Sequence, residues 1–142
     1  MDREHAVSEN RRPGTLTALI VIVGLEAIAL IVATAWLAFE IAVATPESMA
    51  TAVALAVTCA IAAAGVCWLT VSLVRRRSTV RGAVLVWQLM QAAVGIGALQ
   101  GIFARPDIGW ALLLPAIIGF VLVLTPSVSA ALGHVKPTAD ER

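Results

Sequence analysis

Four long apolar runs constrain this chain more than anything else in it. They cover about Leu16–Phe39, Ala50–Val74, Gly82–Ala104 and Gly109–Thr125. The hydrocarbon core of a bilayer takes about 20 residues of helix, within a range of about 17–25. The first three runs meet that length. The fourth is short and is expected to tilt or to thin the bilayer around it. In lipid, only helices and closed barrels satisfy every backbone polar group. Runs this long are not barrel strands, so the expectation is an all-α fold: a four-transmembrane-helix antiparallel bundle. Composition agrees, since 60% of the 142 residues are hydrophobic and 13% are charged. A soluble domain carries about twice that charged share.

The breaks between the runs carry turn chemistry. ATPES, Ala44–Ser48, joins the first two, with Pro46 placed to begin the second helix after Thr45. RRRSTVRG, Arg75–Gly82, joins the second and third. ARPDIG, Ala104–Gly109, joins the last two, where Pro106 cannot continue the third helix. Connections this short make successive helices antiparallel neighbours. Residues 1–14 are polar and mixed in charge and read as a disordered tail. Residues 15–126 form the transmembrane domain, and 127–142 a second tail. There TPSVSAALG offers Thr125 as N-cap, Pro126 as first helical residue and Gly133 as stop, which predicts a short juxtamembrane helix.

Orientation follows from the cations. The N-terminal tail holds Arg3, Arg11 and Arg12, the second loop Arg75, Arg76, Arg77 and Arg81, and the C-terminal tail Lys136 and Arg142. The first loop has none and the third has Arg105. With both tails and the second loop inside, nine of the ten Lys and Arg residues are inside. The positive-inside rule then puts the N- and C-termini in the cytoplasm of a plasma-membrane protein. RRP at Arg11–Pro13 and AVA at Ala42–Ala44 imitate a secretion signal, but a signal's apolar region is about 7–15 residues. The first run is far longer and is expected to stay uncleaved.

Within the first run one residue breaks the pattern. Glu26 lies about 15 Å of helix from Leu16 and about 20 Å from Phe39, near mid-bilayer. A charged acid there costs about 2.5–3.5 kcal/mol on insertion scales, so it is expected to face other helices. Ala29, Ala33 and Leu37 share its helical face, and Glu40 continues that face to the outer end, an outer access point. The expected partner is the third run, where Gln88, Gln91 and Gly95 fall on one face with Ala92 and Ala98. An amide and a protonated acid each donate and accept. Such a bond is worth about 0.6–2 kcal/mol in a membrane.

Other patterns are weaker. Thr51, Thr58, Gly65 and Ser72 repeat every seven residues, a small-residue seam for the second helix. Gly97 and Gly101 make a GxxxG pair on the face away from Gln91. Trp36, Trp68, Trp87 and Trp110 lie toward the ends of their runs, as interfacial anchors do. Pro115 inside the fourth run frees the carbonyl of Ala111 and is expected to bend that helix. Cys59 and Cys67 stand about 12 Å apart along a helix, too far for a disulfide. His5 and His134 occupy opposite tails, and no CxxC or HExxH motif is present. No cofactor, metal site, catalytic group or nucleic-acid partner is therefore expected, and the chain does not read as an enzyme. One lysine against nine arginines, with abundant alanine and valine, suggests a GC-rich, actinobacterial genome.

The pieces RGAVLVWQLMQAAVGIGALQG, TPSVSAALG and GLEAIAL resemble a family of small, uncharacterised four-helix integral membrane proteins from actinobacteria. That resemblance covers most of the chain and implies architecture only. A looser likeness to small multidrug-resistance exporters rests on a glutamate in the first of four helices. The aromatic pattern around that glutamate and the tight loops of those exporters are missing here. Three readings of function follow. The first is a scaffold or accessory subunit with a polar packing cluster of Glu26, Gln88 and Gln91, bound to a larger membrane protein through the cytoplasmic arginines. The second is a homo-oligomeric proton-coupled carrier with Glu26 as its protonation site. The third is a lipid-binding protein whose Arg75–Arg81 loop meets anionic headgroups, at about 1 kcal/mol per basic residue.

Overall fold

The computed structural model of the chain describes residues 14–44, 46–100 and 104–132. They form five helices: α1 (Gly14–Val43), α2 (Met49–Val74), α3 (Val80–Gln100), α4 (Pro106–Leu124) and α5 (Pro126–Leu132). The first four are long and apolar enough to cross a membrane. Their lengths are about 45, 39, 32 and 28 Å by the rise of an α-helix. Thus α3 and α4 match the roughly 30 Å hydrocarbon core, and α1 and α2 exceed it. Their outward side chains are large and apolar: Ile61, Trp36 and Phe39 are more than three-fifths exposed. A surface of that kind suits lipid and not water.

The helix ends differ from the sequence expectation in ways that local chemistry explains. α1 runs on from Phe39 to Val43 because Ile41, Ala42 and Val43 continue the apolar segment beyond Glu40, whose carboxylate accepts a hydrogen bond from Trp36 one turn back. α2 does not begin at Pro46. Its N-cap is Ser48, in extended backbone, whose hydroxyl accepts from the Thr51 N–H at 3.3 Å. α4 begins earlier than Gly109, with Pro106 in its first turn, where a missing N–H costs nothing. The Arg105 carbonyl then accepts from Gly109 N–H at 2.9 Å. α3 begins at Val80, so Arg81 belongs to its first turn and not to the loop.

Packing divides the chain into two units, with the boundary inside α1 between Leu19 and Ile20. In one, Ile20–Arg75, the buried residues are Val23, Glu26 and Ala27 of α1 and Ala63, Val66, Leu69, Ser72 and Leu73 of α2. Gly24 faces Thr70, whose methyl would be 3.8 Å from an added Cβ. The other unit holds the start of α1, with Leu16 and Leu19 buried, together with α3, α4 and α5. α5 lies against α3 and α4 through the buried Val128 and Leu132.

Two expected helix faces are not the buried ones. Ala29 and Ala33 are exposed, because the buried stripe of α1 is Leu16, Leu19, Val23, Glu26 and Ala27 and stops there. Of the heptad Thr51, Thr58, Gly65 and Ser72, only Ser72 is buried. Thr58 satisfies its hydroxyl within its own helix, donating to the Ala54 carbonyl at 2.8 Å. A Cβ on Gly65 would meet nothing within 4 Å. The seam of α2 is the aliphatic stripe Ala63, Val66, Leu69 and Leu73 instead.

The predicted juxtamembrane helix is α5, starting at Pro126. Thr125 stands at its head, and its carbonyl accepts from the Ser129 N–H at 3.1 Å. Its hydroxyl, however, turns back to the Leu122 carbonyl at 2.7 Å, closing α4 and not capping α5. The N-terminal tail, Gly101 of the GxxxG pair, Gly133, Lys136 and Arg142 lie outside the described residues.

Candidate functional site

The contact of α3 with α4 carries two buried amides. Gln88, Gln91 and Gly95 are spaced by three and four residues, so they share one face, and all three are buried. The facing stripe on α4 is Gly109, Leu112, Ala116, Gly119 and Val123, again spaced by three and four. Gln91 Nε2 donates to the Leu112 carbonyl oxygen at 3.1 Å. A helical carbonyl keeps a second lone pair for such a bond. Gln88 takes the space that a side chain at Gly119 would fill: a Cβ there would stand 2.7 Å from Gln88 Cδ. Gly95 comes so close to Gly109 that a Cβ on it would lie 3.1 Å from the Gly109 carbonyl oxygen. The α3 face was legible from spacing. The α4 stripe carries the same three-and-four spacing, which the apolar residues on the rest of that helix obscure.

The arrangement joins two helices through an amide-to-carbonyl hydrogen bond and close glycine contacts. An amide neither ionises nor acts as a nucleophile. Gln91 Oε1 is buried and accepts no hydrogen bond among the described residues. Gly97 is exposed, and a Cβ on it would meet nothing within 4 Å, so it packs on no neighbouring helix among the described residues.

Glu26 is buried, only 7% exposed, and belongs to the α1–α2 unit, whereas Gln88 and Gln91 belong to the other. On the face of α1 turned away from Glu26, an open groove of about 460 Å³ runs between α1 and α2. Its walls are Val21, Leu25, Ile28 and Ile31 on one side and Cys67, Thr70 and Val71 on the other. Thr70 donates to its own Val66 carbonyl at 2.9 Å, so the groove offers apolar surface. Cys59 and Cys67 are free thiols, each half-buried. Among the described residues no group of three His, Cys, Asp or Glu side chains is placed to hold a metal.

Glu40 is exposed, and Trp36 Nε1 donates to its Oε2 at 3.0 Å. The Phe39 ring lies beside Trp36, with centroids 6.4 Å apart and planes at 46°. This group escaped sequence reading, although Trp36 and Glu40 stand at the i, i+4 spacing of helical neighbours. Arg75, Arg76 and Arg77 are exposed at the end of α2, and Arg81 is half-buried. Arg105 forks onto Asp107, with Nε to Oδ1 at 3.2 Å and NH2 to Oδ2 at 3.0 Å. That hydrogen bond and charge raise the Arg105 guanidinium above its ordinary range. Asp107 also sits in the first turn of α4, where a negative charge suits the helix dipole.

No family model, curated protein or solved structure matches the chain.

Proposed function

We propose that this chain is a small multi-pass protein of the plasma membrane that works as a scaffold or accessory subunit. On this reading its four long helices form an antiparallel bundle with both termini in the cytoplasm, as the cation distribution requires. It performs no reaction. Its exposed arginines dock a larger membrane protein, and its buried polar side chains fix how its helices meet. The observation that carries the reading is the use to which Gln88 and Gln91 are put. One fills the notch at Gly119 and the other bonds the α4 backbone. In apolar surroundings such contacts set register more than they add stability.

An oligomeric carrier with Glu26 as its protonation site is the competing reading, since an intramembrane acid is a functional candidate by default. It needs water to reach that carboxyl, which is only 7% exposed and does not line the groove between α1 and α2. The experiment that separates the two is proton release from detergent-solubilised protein when tetraphenylphosphonium, a lipophilic cation, is added. The scaffold reading expects none, in the wild type and in Glu26→Gln alike. Release from the wild type that vanishes in Glu26→Gln would replace it with the carrier.

A further inference from the structure

We propose that Trp36, Phe39 and Glu40 form a binding site for an alkylammonium group, at the end of α1 that leads into the Pro46 turn. The shared ligand chemistry is a compact organic cation with an apolar surface. It is supplied either by a free amine or by the headgroup of an aminophospholipid.

The three side chains come from little more than one turn of one helix, and with Val43 and Ala44 they line a recess of about 220 Å³. An ammonium group is drawn to the face of an indole or phenyl ring within about 6 Å of its centroid. Here two such rings stand 6.4 Å apart, tilted by 46°, so one guest can touch both. The indole N–H is spent on Glu40, which engages one carboxylate oxygen and fixes the acid beside the rings. The indole face is thereby left for the guest, and the carboxylate supplies its countercharge. Interfacial anchoring accounts for Trp36 alone. It does not account for a carboxylate held against the ring edge with a second ring alongside.

The charge around the recess favours the same guest. Between Gly14 and Val74 the sequence has three glutamates, Glu26, Glu40 and Glu47, and no lysine, arginine or histidine. No basic side chain of that stretch competes for Glu40. A cation arriving at the Pro46 turn meets two exposed acids, Glu40 and Glu47, and Glu40 carries Trp36 and Phe39 beside it. The site is separate from Glu26, so it stands or falls independently of the carrier reading.

The test is tryptophan fluorescence of the full chain in maltoside micelles. It is titrated with choline, with its neutral isostere 3,3-dimethylbutanol, and with dihexanoyl phosphatidylethanolamine. The expected result is a saturable change with choline or with the phospholipid, and none with the isostere. Response to the phospholipid alone identifies a headgroup site, and response to choline alone a site for free amines. Glu40→Gln should weaken binding by about tenfold, while Glu47→Gln leaves it within about twofold. Glu47 is exposed, and glutamine at position 40 keeps an amide oxygen that can accept from the Trp36 indole, so neither change should disturb the helices, and circular dichroism checks this. An equal response to the neutral isostere overturns the proposal. So does binding that survives Glu40→Gln unchanged.

Discussion

Arg76 follows the last turn of α2 with φ at 52°, the one described residue other than glycine in the left-handed region. A side chain with a Cβ is disfavoured there by roughly 1–2 kcal/mol, and glycine is not. The turn exists because Arg75 closes the helix, its N–H reaching the Val71 carbonyl at 3.0 Å, after which the chain must reverse toward α3. Arg76→Gly should therefore raise stability by about 0.5–1 kcal/mol, read as a shift in unfolding midpoint in mixed detergent micelles. Arg77→Gly is the control: it removes the same charge at an exposed position without the left-handed backbone. An equal gain at both would assign the effect to relief of charge crowding. Nothing in the sequence announced this residue, since a run of three arginines does not reveal which one turns. Gln88 and Gln91 were legible because burying an amide in an apolar helix is rare enough to stand out. Glu26 stood out for the same reason, and it is buried as expected.

At the scale of elements, the sequence specified which segments are helices far better than where they stop or which face they bury. Hydropathy marks the runs, since any long apolar segment must satisfy its own backbone in lipid. The ends depend on single side chains. Ser48 caps α2 in place of the proline two residues earlier, and α1 runs on past Glu40 through the apolar Ile41, Ala42 and Val43. Faces were hardest to read because lipid and core are equally apolar, so the hydrophobic stripe that betrays a soluble helix is missing. Small residues are the substitute signal. It succeeded on α3 and failed on α2, where Thr51, Thr58 and Gly65 are exposed. The α3–α4 seam yields a paired prediction. A Cβ on Gly109 would lie 2.6 Å from Leu99 Cδ2 and 3.0 Å from the Gly95 carbonyl oxygen, and a backbone atom cannot swing away. Gly109→Ala should destabilise by about 1–3 kcal/mol, as overpacking does. Gly97→Ala meets nothing within 4 Å and should be neutral, or stabilise by up to about 1 kcal/mol through helix propensity. Equal effects at the two sites in a detergent unfolding series would show that the seam does not govern stability.

On the proposed topology, the arrangement of the whole molecule follows from where its cations lie relative to four apolar spans. Charge acts on topology during insertion, through short loops and the residues close to span ends, and arginine and lysine count while acids contribute little. Nine of ten cations fall on the side assigned to both tails and the second loop. The one on the other side, Arg105, is matched by Asp107 in a forked ion pair. The bias is large enough to predict how it fails. Replacing Arg75, Arg76 and Arg77 with alanine leaves six inside against one outside, nine less three, so the orientation should hold. A fluorescent-protein fusion at the C-terminus, bright only in the cytoplasm, should stay bright. Adding four lysines to the first loop of that variant changes the balance to six against five. A mixed population should then appear, with part of the fusion dark and an alkaline phosphatase fusion at the same end newly active. A C-terminal fusion that is dark in the unaltered chain would reverse the assignment of sides. It would place the Pro46 turn and the Trp36–Glu40 recess in the cytoplasm. The arginine loop would then face out, away from the anionic leaflet and cytoplasmic partners that its charge fits.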